Sequence, residues 1–148
     1  KMIDNSTINW EIDMEVLKEI RLEHEEINIM LSEKYKDWFN ARGEKGKFPL
    51  DFDNDYGGNW KVLRFNKAQH GWIGVLPVDA GDCILPSVMF NCQSQSEDHE
   101  VRIVNSDRMF EGRVLRCVKV NQDNKTCVQP CHYKYFSGEV MIGSHIGA

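Results

Sequence analysis

From Trp60 onward the chain reads as a succession of β-strands with no helix between them, and this restricts its folds more than any other feature. Val, Ile and aromatic residues dominate "WKVLRF" (60–65), "GWIGVLPV" (71–78), "CILPSVMF" (83–90), "EVRIVN" (100–105), "GRVLRCVKV" (112–120), "KTCVQPCHYKYF" (125–136) and "EVMIG" (139–143). Gly, Asn and Asp cluster between these runs, as turns between strands do. Parallel strands need long crossovers, usually helices, and none is available here. An antiparallel sheet is therefore expected. "NQDN" (121–124) carries turn residues that would join 112–120 and 125–136 as a hairpin. Pro86 and Pro130 lack a backbone donor and belong at edges or bulges.

Before Trp60 the period changes. Val16, Ile20, His24, Ile27, Leu31, Tyr35 and Trp38 recur every three or four residues, the repeat of one helix face. No Pro or Gly interrupts until Gly43, which suits a left-handed C-terminal cap. Residues 10–42 are expected to form one long helix, or two helices broken near 28–32 with Ser32 as the second N-cap. The expected fold class is α+β. One or two N-terminal helices would pack on a strongly bent, mainly antiparallel sheet or small, partly open barrel. One domain is expected, with 1–50 helical, 51–59 an acidic Gly-rich connection and 60–148 rich in strands; 148 residues suffice for such a core.

Charge narrows the partner classes. The formal net charge is −5 and unevenly spread: residues 1–60 carry 8 Lys/Arg against 14 Asp/Glu, and residues 101–148 carry 7 against 4. An acidic N-terminal part disfavours general phosphate binding, which clustered Lys and Arg drive. On the expected helix, Glu11, Glu15, Glu19, Glu23, Glu26 and Asp37 form an acidic face suited to a basic protein surface, giving steering and specificity. Surplus apolar width on the same helix would support a homodimer. No apolar run approaches the roughly 20 residues that span a bilayer. The polar opening residues carry no export signal, and the cysteine count is odd, so reduced thiols in the cytoplasm are expected.

Three further sets of residues point to particular chemistry. Arg102, Arg108, Arg113, Arg116 and Lys119 lie near Tyr133 and Tyr135 on a neighbouring strand run, and cations beside aromatics on a curved sheet can hold single-stranded nucleic acid. Cys117, Cys127, Cys131 and His132 are the residue types of a tetrahedral zinc site, although "CVQPC" is spaced C-x3-C and has no second knuckle. A thiol-dependent enzyme would draw on Cys83 or Cys92 with His70, His99 or His132. Asp51, Asp53 and Asp55 match the first three ligand positions of a calcium loop. Tyr56 stands where that loop needs glycine and Val62 where it needs glutamate, so an acidic turn is the expected role. His24 sits on the apolar stripe and is expected to be a hydrogen-bonded core residue. No cofactor is expected.

Residues 31–50, "LSEKYKDWFNARGEKGKFPL", and 71–85, "GWIGVLPVDAGDCIL", resemble segments of the SUKH immunity-protein superfamily. The chain lacks that family's Leu-Pro pair and its paired glycines, and it ends in strands where the family closes on a helix. The resemblance implies a non-catalytic protein that neutralises a toxin by binding it. Composition and charge lead to the same class: a small, acidic, non-enzymatic protein-binding module.

Overall fold

The computed structural model describes residues 6–54, 60–68, 71–93, 98–120 and 126–143. No helix is found among them. Six strands form the larger sheet, in the order β1 (Ser6–Val16), β14 (Cys131–Gly143), β10 (Ser87–Cys92), β7 (Ile73–Val75), β4 (Asp37–Asn40), β5 (Lys45–Lys47). Four form the smaller sheet: β3 (Glu26–Ser32), β12 (Gly112–Lys119), β11 (His99–Asn105), β6 (Lys61–Lys67). Two ribbons complete the set, β13 (Thr126–Val128) with β2 (Ile20–Leu22) and β8 (Val78–Asp79) with β9 (Ile84–Leu85). Every strand pair is antiparallel.

The two main sheets share one core. Trp38, Ile73, Val75, Val88, Phe90 and Phe136 from the larger sheet pack with Val101, Ile103, Leu115 and Cys117 from the smaller. This is a β-sandwich, in which inward residues of both sheets interdigitate. A satellite cluster forms on the outer face of the larger sheet, where Phe39 and Met89 pack with Trp72, Leu76 and Met141.

The expected N-terminal helices are corrected to strands, and so the α+β class is corrected to all-β. The reason is visible in β1. Trp10, Ile12, Met14 and Val16 are the partly or fully buried positions, and Asn9, Glu11, Asp13 and Glu15 between them are exposed. That is a two-residue period with one face in the core. In β3, Ile27, Ile29 and Leu31 repeat the alternation and pack against the core. The 3.6-residue stripe drew one residue or two from each of four strands and their connections. The homodimer expected from a wide helical face loses its basis with the helix.

Gly43 does adopt a left-handed conformation, at φ 78°, but in the β4–β5 turn. There Asn40 Oδ1 accepts the N–H groups of Arg42 and Glu44 at 3.0 and 3.1 Å. The expected hairpin between 112–120 and 125–136 is also corrected. β12 lies between β3 and β11, and β13 pairs with β2; "NQDN" lies outside the described residues. Pro86 and Pro130 fall between strands, separating β9 from β10 and β13 from β14. The acidic connection docks on the β11–β12 turn: Asn105 Nδ2 donates to Asp51 O, and Arg108 donates from its backbone to Asp53 O and from Nε to Phe52 O. Residues 55–59 of the candidate calcium loop lie outside the described residues.

Candidate functional site

The outer face of the four-stranded sheet gathers side chains that the core does not use. Directly opposed residues of antiparallel strands share a face. One row on this face runs Met30, Val114, Val104, Val62, and the next runs Asn28, Arg116, Arg102, Phe65. Val104 and Val114 are wholly buried, whereas Met30, Val62 and Phe65 are 44%, 39% and 61% exposed. Trp60 joins them from the chain just before β6. Its ring meets Phe110 edge-on at 5.4 Å, receives the Arg116 guanidinium over its face at 5.4 Å, and is fixed by Nε1 donating to Asp107 Oδ2 at 2.9 Å. Phe110 is itself 56% exposed. Asp107 is buried and also caps the turn that carries Phe110, accepting the Met109 N–H at 2.9 Å.

The two arginines of this face are already matched. Arg102 pairs with Glu100 at 2.9 Å, and Arg116 pairs with Glu26 at 3.4 Å while donating to Asn28 Oδ1 at 2.7 Å. Burial lowers the Arg116 pKa; Glu26 opposes that effect and Arg102 adds to it. For Glu26, burial alone would raise the carboxyl pKa. Hydrogen bonds from His24 and Asn28, with the charge of Arg116, outweigh burial and hold it below the ordinary carboxylate range.

Beside this face, along the outer edge of the sheet, runs an open groove of about 500 Å³ lined by Arg42, Val62, Arg64, Phe65, Asn66 and Glu100. β6 forms its floor and, among the described residues, has a neighbour on one side only, β11. Asn66 stands opposite the core residue Val101, is 4% exposed, and neither its Nδ2 nor its Oδ1 has a hydrogen-bond partner among the described residues. Leaving a buried amide unsatisfied costs about 1–3 kcal/mol. Arg64 reaches across to Glu44 in the β4–β5 turn of the other sheet.

The acidic set expected on one helix is dispersed. Glu11 and Glu15 lie with Asp13 on the outer face of β1, on the larger sheet, with Lys134 bridging to Glu11 at 3.6 Å. Glu19 and Glu23 are in connections flanking β2. Glu26 lies at the smaller sheet, and Asp37 pairs with Lys47 in β4–β5. His24, expected in the core, is exposed and bonded to Glu26 at 2.8 Å.

The basic set is also divided. Arg113 is a core residue, not a surface cation. It donates to Tyr35 O, Glu33 O, Pro49 O and Asn105 Oδ1, between the rings of Phe48 and Phe52. Arg108 serves the β11–β12 turn. Tyr133 and Tyr135 belong to a polar seam beside the core: Tyr133 O–H donates to Glu25 at 2.6 Å, Tyr135 Oη accepts the Glu26 N–H at 3.0 Å, and Lys119 Nζ is 3.4 Å from Glu25. Burial, and then Glu25, push the Tyr133 pKa up. Glu25, His99 and Tyr135 line a cavity of about 10 Å³ there, room for one water at most.

The proposed zinc residues are not brought together. Cys117 is buried in the core beside Cys92, whereas Cys127 and Cys131 are exposed. Cys127 Sγ lies 3.4 Å from Glu19, and His132 stands opposite Glu15 on β14. No group of three or more His, Cys, Asp or Glu that could hold a metal occurs among the described residues. For thiol chemistry, Cys83 is exposed between β8 and β9, Cys92 is buried and His70 lies outside the described residues. Reading the sequence as a helix followed by strands missed Trp60, Phe65 and Phe110 as one set. "VL" in β6 held the available signal, since the adjacent apolar residues Val62 and Leu63 must take opposite faces of one strand. No helix of the described residues is long and apolar enough to cross a membrane. Compared with family models, curated proteins and solved structures, the chain matches none of them.

Proposed function

We propose that the chain is a non-enzymatic protein-binding module that docks an extended partner segment along β6 and the adjoining aromatic face. One observation carries this reading: Trp60, Val62, Phe65, Phe110 and Met30 lie on one sheet face beside an open groove along the edge strand β6. Aromatic residues, Met and Arg are the types enriched at the cores of protein interfaces, and apolar groups in such patches supply the hot spots. An edge strand offers unpaired backbone groups, so an added strand can gain main-chain hydrogen bonds while its side chains fill neighbouring pockets.

The same face combines arginine with aromatics, which is why single-stranded nucleic acid is the second reading. The pairing of Arg102 with Glu100 and of Arg116 with Glu26 favours protein. A groove that tracks phosphates needs cations free to replace counterions. The acidic row of Glu11, Asp13 and Glu15 stands on the opposite outer face, so a basic partner would use a different surface from the one proposed. Phe65→Arg should weaken capture of a bound protein at least tenfold with the urea midpoint unchanged, while Asp13→Lys leaves capture intact. Equal capture by Phe65→Arg and the unaltered protein, or loss with Asp13→Lys alone, would remove this reading. Tight binding of a labelled oligonucleotide, abolished by Phe65→Arg, would select the second.

A further inference from the structure

Cys92 and Cys117 come from different sheets and meet inside the core. Cys92 closes β10 opposite Gly138 of β14, and Cys117 lies in β12 opposite Val101. They are 4% and 3% exposed, and their sulfurs are 2.8 Å apart. A covalent S–S bond is about 2.05 Å long, so the two atoms stand within roughly 0.8 Å of bonding distance. Cys83, Cys127 and Cys131 are all exposed and lie elsewhere in the fold.

We propose that Cys92 and Cys117 are a disulfide site that ties the two sheets of the sandwich together. The oxidant is a small disulfide such as glutathione disulfide. One protein thiolate attacks it and releases one glutathione thiolate. The other protein thiolate then attacks the mixed disulfide and releases the second. Two protons leave the protein thiols, and the two electrons pass to the glutathione, which ends as two thiols. The bond joins residues 25 positions apart, enclosing β11 and most of β12. A link of that kind restrains the unfolded chain while leaving the folded core in place.

Timing follows from burial. Exchange needs a thiolate with access to the oxidant. In the closed core, the hydrogen bond to Cys92 and burial both push the Cys117 thiol upward. The bond therefore forms while the chain folds and slowly once the core has closed. Cytosolic glutathione keeps most thiols reduced, so occupancy of the site in cells reports the compartment.

The test is to refold the full chain from urea in a mixture of reduced and oxidised glutathione, block free thiols with N-ethylmaleimide, and map peptides without reduction. The expected result is a 92–117 linked peptide with blocked Cys83, Cys127 and Cys131. The same oxidant added to folded, reduced protein should give the link at least tenfold more slowly. The linked form should also show a higher urea midpoint than the reduced form. Blocked thiols at both 92 and 117 after refolding, or links from either to another cysteine, would overturn the proposal.

Discussion

Arg113 shows how a single residue misleads when sequence neighbours stand in for surroundings. Among Arg102, Arg108 and Arg116 it looks like part of a cationic strand. In the fold it is 4% exposed, and its guanidinium satisfies three backbone carbonyls and the Asn105 side chain. The acceptors lie in the β3–β4 connection, in the connection before β6 and on β11, so one side chain ties three segments to β12. Arg113→Met would fill similar volume but leave those acceptors unpaired. We expect a loss of about 3 kcal/mol in urea unfolding. Loss below about 1 kcal/mol would show that the acceptors find water instead. His99 makes a second expectation at this scale. Burial, then the nearby Lys119, lower its pKa below the ordinary 6.5, with Glu25 and Asp98 opposing. The unfolded chain therefore takes up the proton first as pH falls. Stability from this group is complete above the ordinary value and declines as pH falls through it towards the folded pKa. His99→Gln should flatten that decline in unfolding free energy between neutral and mildly acidic pH.

Elements explain both what could be read in advance and what could not. Strand runs after Trp60 were legible because each is short, β-branched and bounded by turn residues. β11 and β12 fall within a residue of their expected limits, at His99–Asn105 and Gly112–Lys119. Their partners were not legible, since pairing depends on contacts far apart in sequence. β12 takes β3 and β11 as neighbours, β13 goes to β2, and β14 joins β1, the first strand described. The N-terminal misreading has a local cause. Glu, Lys, Leu and Met favour helices, and their chance recurrence outweighed the stricter alternation in "INWEIDMEV". A residue alternation with one buried face decides the structure because tertiary burial overrides weak propensity. Hydrogen exchange should follow the sheet order. Central β12 amides should exchange most slowly and those of edge strands β5 and β6 fastest. Gly74 gives a packing test: a Cβ there meets the Phe39 ring and the Val88 carbonyl. Gly74→Ala should cost about 1–3 kcal/mol by thermal or urea unfolding.

At the scale of the whole molecule, the sandwich has two outer faces of different character. The larger sheet carries the acidic row of β1 and a covered apolar cluster. The smaller sheet carries exposed aromatics, two neutralised arginines and the edge groove. Candidate site residues were least legible here, because a sheet face is assembled from residues distant in sequence. Met30, Phe65 and Phe110 come to one face of the molecule only through the β3–β12–β11–β6 order. The most direct measurement is photo-crosslinking from a benzophenone side chain placed at position 65 or, as a control, at position 13. Docking along β6 predicts a covalent partner adduct from position 65, shortened or lost when Phe110→Asp is added, and none from position 13. Adducts from position 13 alone, or equally from both, would contradict it.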